Sequence, residues 1–308
     1  MNTDNPQTTP PSPAPEGTPS ASSASALGGT TSASPAPAAS ALQPFSPSAL
    51  FLPRLREVPV CGLASVTALF ARRPDAIKRL FFDAANSTRL GKMASHLAKN
   101  KKPYRMILAP ELEKVSGTVH HGGVVAIIPA PELREPTLDE VAAWTKTRAP
   151  VLVLDRIGNA HNLGALVRTA AFFGVKKIIL ADDQQQALPG ESAYRVAEGG
   201  FEHVELYRVY DLPGLCRALS ENGYEVCGAA VASKETLNKA IREIGPTRPV
   251  ALVLGNEETG LSTNVAAACT RFVTIPGTGN VESLNVSAAA AVLMWSLWPA
   301  RKSEVLAQ

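Results

Sequence analysis

Between residues 151 and 298 the chain alternates short, almost continuous apolar runs with helical patterns, and this alternation limits the fold more than any other feature. Uninterrupted apolar runs predict strands that are buried on both faces. Strands that alternate with helices predict an α/β domain built on a parallel sheet. We expect six strands, at Val151–Asp155, Lys177–Leu180, Val204–Val209, Val226–Val231, Val250–Leu254 and Phe272–Ile275. We expect helices at 162–173, 191–198, 212–221, 235–243, 263–268 and 285–297.

A smaller α/β module precedes this region. Its expected strands are Val58–Gly62, part of Ile77–Phe82, Tyr104–Leu108 and Gly123–Pro129, with helices at Ser65–Arg72 and Thr88–Lys99. Prolines 129, 131 and 136 then interrupt the pattern, which is typical of a linker. The predicted domains are therefore 51–130, a linker at 131–149, and 150–308.

The first 50 residues differ in composition from the rest. Thirty-six of them are Ser, Thr, Ala or Pro, and none is Lys or Arg. Such a segment has too little large apolar surface to offset its ordering entropy, so we predict that residues 1–50 are disordered. It lacks the basic start and apolar core of a secretory signal and the Arg of a transit peptide. No later apolar run is long enough to predict a membrane span.

Charge is distributed unevenly along the chain. Residues 51–150 carry 16 Lys and Arg against 9 Asp and Glu, a net charge of +7, whereas residues 151–308 carry 14 against 16. A basic first module favours a polyanion partner, although a solvated basic surface would look the same. The four cysteines, at 61, 216, 227 and 269, lack the close spacing of a zinc site or a redox dithiol. We interpret them as buried thiols of a reduced cytoplasmic protein and expect no metal.

Ligands of parallel sheets bind at the carboxyl ends of strands, which selects the loops after Asp155, Leu254 and Ile275. In the first loop, Asn162 is a candidate cap for the following helix. Arg168 lies six residues later among apolar positions, and Arg is seldom buried without an anionic partner. A solvent-reaching Arg at the helix edge is the alternative interpretation.

The second and third loops resemble nucleotide-binding motifs but lack decisive residues. Residues 255–262 have the two glycines of a P-loop, yet Leu261 replaces its Lys, which makes a nucleotide triphosphatase improbable. Gly277 and Gly279 resemble the start of a dinucleotide fingerprint, but the third glycine position is Glu282. The polar cluster at 283–287 begins an Ala-rich helix, and helix capping accounts for part of it.

Together these segments resemble the three motifs of the SpoU RNA methyltransferase family, in the family's order and spacing. The matching segments are 162–164 with 168–170, 255–257 with 260–262, and 275–276 with 283–287. Residues 58–129, with His121 before Gly122-Gly123-Val124-Val125-Ala126, more loosely resemble the family's amino-terminal substrate-binding domain. Two departures from the family pattern are Asn256, where Ala is common, and Gly277–Gly279, where a Met-containing segment is usual. We interpret His121 as structural.

The resemblance implies an α/β domain with a carboxy-terminal trefoil knot, a homodimer with its active site at the subunit interface, and S-adenosylmethionine as methyl donor. The implied substrate is ribosomal or transfer RNA, methylated on a ribose 2′-oxygen. The implied catalytic residues are Asn162, Arg168, Glu257, Ser283 and Asn285. The implied donor-binding residues are Leu254, Gly255, Ile275, Pro276, Leu284 and Asn285.

The donor sulfonium is already activated, so the protein mainly has to align the ribose oxygen and assist its deprotonation. Because Arg keeps its proton, we expect Arg168 to stabilise the developing alkoxide rather than act as a base, with an RNA phosphate as a candidate proton acceptor. Asn162 and Glu257 are expected to hold Arg168 and the ribose, and Ser283 and Asn285 to complete the pocket. Basic residues expected to contact RNA phosphates are Arg72, Arg73, Lys78, Arg79, Lys99, Lys101 and Lys102.

Two other interpretations compete with this one. An RNA-binding protein of the same fold without activity would need no intact catalytic set, so Arg168, Glu257 and Asn285 disfavour it. A nicotinamide or ATP enzyme on a parallel sheet would need the glycine or the Lys that the two loops lack.

Overall fold

The computed structural model describes residues 57–231, 237–244 and 248–298. All of them fall within one compact unit, Ser48–Gln308. The expected disordered segment, 1–50, lies outside the described residues, as do the first two residues of the helix predicted at 235–243.

The first module is a four-stranded sheet with three helices. Its strands are β1 (Glu57–Cys61), β2 (Arg79–Phe82), β3 (Tyr104–Met106) and β4 (Val124–Pro129), and its helices are α1 (Leu63–Arg72), α2 (Gly91–Lys99) and α3 (Ala109–Ser116). The strand order is β1-β4-β2-β3, with β4 antiparallel to both neighbours and β3 parallel to β2. All four predicted strands and both predicted helices are present. The sequence analysis did not predict α3, in which Pro110 stands in the first turn, where the missing N–H of proline costs nothing.

A further helix, α4 (Leu138–Thr147), lies inside the segment predicted as a linker. Thr137 accepts a hydrogen bond from the Glu140 backbone N–H, and the Glu140 side chain accepts one from the Thr137 N–H, which forms a capping box. Val141 and Trp144 of this helix are buried against the second sheet. The segment is therefore packed onto the second module.

The second module is the predicted parallel sheet. Its strands are β5 (Val151–Asp155), β6 (Lys177–Ala181), β7 (Glu205–Val209), β8 (Glu225–Ala229), β9 (Val250–Gly255) and β10 (Arg271–Val273). Every pairing in the order β10-β8-β9-β5-β6-β7 is parallel. This confirms the predicted fold class. The helices are α5 (Ala160–Phe172), α6 (Glu191–Ala197), α7 (Leu212–Glu221), α8 (Leu237–Ile244), α9 (Thr263–Ala268) and α10 (Val286–Leu297).

Helices α5 and α6 pack unusually closely because Gly164 faces α6. A Cβ atom on Gly164 would lie 2.5 Å from the Ala193 carbonyl oxygen and 2.8 Å from the Val196 Cβ. Only a glycine therefore fits this crossing without displacing backbone. The contact fixes the position of α5, the helix that follows the first candidate loop.

The two modules are joined by side-chain contacts of α1 with the region around α6. Arg73 donates to both carboxylate oxygens of Glu202, each at 2.7 Å. Ser65 Oγ donates to the Tyr194 carbonyl oxygen at 3.2 Å. The bidentate bond to Glu202 raises the pKa of Arg73. The first module is thus attached along the α6 side of the second.

Candidate functional site

The first loop is ordered by its own capping residue. Asn159, not Asn162, caps α5, because its side chain accepts a hydrogen bond from the His161 backbone N–H at 2.8 Å. The prediction that Asn162 caps the helix is therefore wrong. The helix begins three residues earlier than it would if Asn162 were its cap, so Asn162 lies in the first turn and its side-chain amide is not used for capping. Its side chain can then reach the other two loops.

Asn162 connects all three candidate loops through hydrogen bonds. Its Nδ2 donates to Glu257 Oε1 at 2.6 Å, and its Oδ1 accepts from Asn285 Nδ2 at 3.2 Å. Strands β5 and β9 are neighbours with Asp155 opposite Gly255, so their following loops start side by side. Asn285 caps α10 and also accepts from Ser287 Oγ at 2.6 Å. Residues far apart in sequence thus form one polar cluster, the Asn162–Glu257–Asn285 cluster.

The second loop is shaped by Asn256. Its Oδ1 accepts from the backbone N–H groups of Glu258 and Thr259, at 2.9 and 3.1 Å, while its Nδ2 donates to the Arg156 carbonyl oxygen at 2.9 Å. The backbone of Asn256 also exchanges two hydrogen bonds with Gly260. This residue, noted in the sequence only as a departure from the family, therefore fixes the loop that presents Glu257.

A buried carboxylate ties the first loop to the second. Asp155 is 2% exposed, and its Oδ2 accepts from the Ser262 backbone N–H at 2.6 Å. Its Oδ1 pairs with Arg156 Nε at 3.1 Å, and Arg156 Nη2 donates to the Gly260 carbonyl oxygen at 3.3 Å. Arg156 adopts a left-handed φ of 62°, which is strained for a non-glycine residue. Sequence reasoning missed both residues, although an Asp at the end of an apolar strand was the available signal.

Arg168 points away from the Asn162–Glu257–Asn285 cluster of its own chain. Six residues at 3.6 per turn place it about 120° around α5 from Asn162. Its Nη2 pairs with Glu198 Oε2 at 2.9 Å, and the side chain is 57% exposed. Among the described residues, Asn162 and Glu257 hold each other rather than Arg168. Ser283 is exposed, and no described side-chain hydrogen bond joins it to the cluster.

The surface beside the cluster fits the methyl donor that the resemblance implies. Leu254 is buried at the end of β9, Ile275 is half-buried after β10, and Leu284 is 50% exposed. Val231, which follows β8, is 63% exposed, and a Cβ atom on Gly277 would meet nothing within 4 Å. Apolar side chains and open space thus meet at the carboxyl ends of three neighbouring strands, which suits an adenosine and an aliphatic chain. Pro276 and Asn285 lie exposed on the same loop.

The predicted RNA contacts fall into two groups. Arg73 is held by Glu202, Lys78 and Arg79 both pair with Glu57, and Arg72 lies 3.4 Å from His203 Nδ1. These side chains have partners within the protein. The second group surrounds the end of α2: Lys99 and Lys101 are exposed, and Lys102 donates to the Asp75 carbonyl oxygen. The second group is the freer to meet a phosphate.

The cysteines and histidines of the described regions form no group of three metal ligands. Cys61, Cys216 and Cys227 are buried and Cys269 is half-buried. Burial raises the pKa of Cys61, Cys216 and Cys269 to about 12, which keeps these thiols protonated. His121 is buried and its Nδ1 accepts from the Gly123 backbone N–H at 3.1 Å, in keeping with a structural role. None of the described helices is long and apolar enough to cross a bilayer.

Comparison with known proteins gives two family matches. Residues 149–295 match the SpoU rRNA Methylase family, and residues 59–134 match the domain described as RNA 2′-O ribose methyltransferase substrate binding. A relative in Escherichia coli O157:H7, the uncharacterized tRNA/rRNA methyltransferase YfiF, is 33% identical over 84% of this chain and 73% of its own length. The 23S rRNA (guanosine-2′-O-)-methyltransferase RlmB of Nitrosomonas europaea is 32% identical over 77% of this chain and 89% of its own length.

Solved structures agree in fold. The AdoMet-bound rRNA methyltransferase of Sinorhizobium meliloti covers 81% of this chain and 88% of its own, with a TM-score of 0.63 and 21% identity. The SpoU methyltransferase AviRb of Streptomyces viridochromogenes gives a TM-score of 0.62 at 21% identity, over 80% of this chain and 91% of its own. The resemblance seen in the three motifs is confirmed. The chain therefore belongs to the SpoU rRNA methylase family of S-adenosylmethionine-dependent RNA methyltransferases.

Proposed function

We propose that this protein methylates a ribose 2′-oxygen of ribosomal or transfer RNA at the Asn162–Glu257–Asn285 cluster. The observation that carries the proposal is the pair of hydrogen bonds that Asn162 makes to Glu257 and Asn285, because they bring three separate loops together beside the donor surface. The relatives named as 23S rRNA methyltransferases make ribosomal RNA the first substrate class to test.

Each residue of the cluster has a proposed task. S-adenosylmethionine supplies an electrophilic methyl group when bound, so the chain itself must align the ribose and stabilise the oxygen as its proton leaves. Glu257 uses Oε1 for Asn162, which leaves Oε2 to accept a hydrogen bond from a ribose hydroxyl. Asn285 keeps Asn162 in this orientation. Ser283 and the backbone near Gly255, Ile275 and Leu284 are proposed to line the donor pocket.

Arg168 is proposed to stabilise the developing alkoxide in the site of a partner subunit. Its position on α5, about 120° from Asn162, prevents it from serving its own cluster by a simple rotamer change. On the exposed surface of α5 and α10, Phe172 is 83%, Trp295 65% and Val292 40% exposed. Large exposed apolar side chains favour burial in an interface. A two-fold homodimer through α5 and α10 would cover them and carry Arg168 toward the second site.

The test measures methyl transfer from labelled S-adenosylmethionine to RNA isolated from a strain that lacks the gene, followed by mass-spectrometric mapping of ribose methylation. Arg168→Ala should abolish turnover and leave donor binding, measured by calorimetry, within about twofold of wild type, since the guanidinium acts on the alkoxide rather than the donor. Arg217→Ala is the matched control, because Arg217 is equally exposed at 58%. Near-normal turnover by Arg168→Ala would exclude this role.

Mixing two inactive variants tests the shared site. Arg168→Ala and Asn285→Ala, unfolded and refolded together, should regain about a quarter of wild-type activity, because half of the dimers in a two-fold assembly then hold one complete site. If Arg168 acted within its own chain, the mixture would stay inactive. Each variant refolded alone is the control.

The catalytically inactive RNA-binding alternative predicts no binding of S-adenosylmethionine in the same calorimetric experiment. The contacts within the cluster favour an enzyme over this alternative. The four cysteines form no disulfide with one another, which favours a reducing compartment, so we propose the cytoplasm as the place of action. The trefoil knot implied by the resemblance stays a prediction.

A further inference from the structure

The segment from Ala84 to Pro110 has a charge pattern that the proposed catalytic site does not use. It contains six Lys and Arg residues and no Asp or Glu, and it covers α2 and the edge strand β3. Its basic residues are Arg89, Lys92, Lys99, Lys101, Lys102 and Arg105, of which all but the half-buried Lys102 are exposed. None of the five exposed ones forms an ion pair with a described residue. We call this segment the basic edge.

The basic edge also presents an exposed aromatic ring. Strand β3 pairs only with β2 in the sheet order, so its other side is unpaired among the described strands. Tyr104 and Met106 alternate onto one face of this strand and are 42% and 62% exposed. Leu108, directly beyond the strand, is 73% exposed. Apolar surface therefore lies beside the cations on an open strand edge.

Several of these basic residues precede β3 closely in the sequence. Lys92 and Lys99 share a face of α2 because they are seven residues, nearly two turns, apart. The buried side chains at this helix are Leu90, Met93 and Leu97. Lys101 and Lys102 then lead directly into Tyr104. Asp75 is a carboxylate at the border, 3.6 Å from His96. The net charge of the basic edge is therefore strongly positive.

We propose that the basic edge binds a single-stranded segment of the RNA substrate, with an unpaired base stacked on Tyr104 and the adjoining phosphates on Lys99, Lys101 and Arg105. Single-stranded nucleic acids are bound by aromatic rings that accept a base together with a positively charged groove for the backbone. A protein strand could also add to the open edge of β3, but it would leave the charges of the five exposed cations unneutralised, whereas RNA phosphates would neutralise them. Charge complementarity therefore selects RNA. The inference rests on the proposed function only in taking RNA as the ligand.

The experiment is fluorescence anisotropy of the full chain with three probes: a labelled 12-nucleotide oligouridine, an RNA duplex of equal length, and labelled heparin, a polyanion without bases. Tyr104→Ala should raise the Kd for oligouridine about fivefold or more, because the lost stacking partner contributes at least that much per base. The Kd for heparin should stay within about twofold, since the cations are retained. Tyr104→Phe, which keeps the ring, is the matched control and should bind oligouridine like wild type.

Two further variants secure the interpretation. Tyr104→Leu keeps an apolar side chain on the strand and should lose oligouridine affinity as Tyr104→Ala does, which separates stacking from packing of β3. Lys101→Ala should weaken binding to both oligouridine and heparin and reduce the slope of log affinity against log salt by about 1.

Unchanged oligouridine affinity in both Tyr104→Ala and Tyr104→Leu would overturn the inference, and so would an equal loss of heparin affinity. Methyl transfer to RNA from the deletion strain is measured in parallel. Transfer by wild type together with unchanged oligouridine binding by the variants would refute the basic edge alone. Absence of any transfer by wild type would refute the proposed function instead.

Discussion

Replacing Gly164 by Ala should destabilise the protein, although Ala is normally the better helix former. The added Cβ would lie 2.5 Å from a backbone oxygen of α6 and 2.8 Å from the Val196 Cβ, and backbone cannot give way as a flexible side chain does. Overpacking of this kind costs about 1–3 kcal/mol. The gain in helix propensity is about 1 kcal/mol, so the free energy of unfolding should fall by up to about 2 kcal/mol.

Gly91 provides the matched control, since it also lies in a helix but a Cβ there would meet nothing within 4 Å. Gly91→Ala should leave the free energy of unfolding unchanged or raise it by up to about 1 kcal/mol. Both variants are measured by urea unfolding followed by circular dichroism, with methyl transfer as a second readout. Because Gly164 is two residues from Asn162, its replacement should also lower activity. Equal stability of the two variants would show that the α5–α6 contact is not tight and would refute the reasoning.

Three other outcomes are expected. Asn256→Ala should lower turnover between about tenfold and 100-fold, because the loop presenting Glu257 loses its internal hydrogen bonds. Asn256→Asp should lose less turnover, because it keeps the acceptor oxygen for Glu258 and Thr259 and loses only the donor to Arg156. Equal turnover of Asn256→Ala and wild type in single-turnover assays would contradict this prediction. Hydrogen bonding to Arg134 lowers the pKa of Glu140 from 4.5 to about 2, so the contribution of ionised Glu140 to stability is complete above pH 4.5 and is lost as the pH falls toward 2. The melting temperature of Glu140→Gln should therefore depend less on pH than that of wild type over this range. An equal fall in the melting temperatures of the two proteins would disprove the pairing. The thiols of Cys61, Cys216 and Cys269, whose pKa values are raised to about 12, should resist iodoacetamide at pH 8 until the protein is unfolded, and rapid native labelling detected by mass spectrometry would disagree.

Much of the secondary structure followed from local pattern. The apolar runs ending at Asp155 and Leu254 were recognised as strands because burial on both faces requires near-continuous apolar residues. The rule that ligands bind at the carboxyl ends of parallel strands then selected the loops that hold Asn162, Glu257 and Asn285. The motifs at these loops also identified the family. Periodicity, strand-end position and motif spacing are all properties that the chain carries in its residue order.

The contacts depended on tertiary structure. Which Asn caps α5 was decided by where the helix starts, and Asn159 has the same capping chemistry as Asn162. The ion pairs that occupy Arg73 and Arg168 join residues that only the folded chain brings together.

Residue order alone therefore determined the elements and the loops in which the chemistry lies, because hydrophobic period and turn chemistry act over a few neighbouring residues. Packing decided the strand order β10-β8-β9-β5-β6-β7. It also decided the direction of the Arg168 side chain and which cations of the basic edge are exposed. Hydrogen bonds and ion pairs require groups within about 3–4 Å, and distances between remote segments are set only when the whole core assembles.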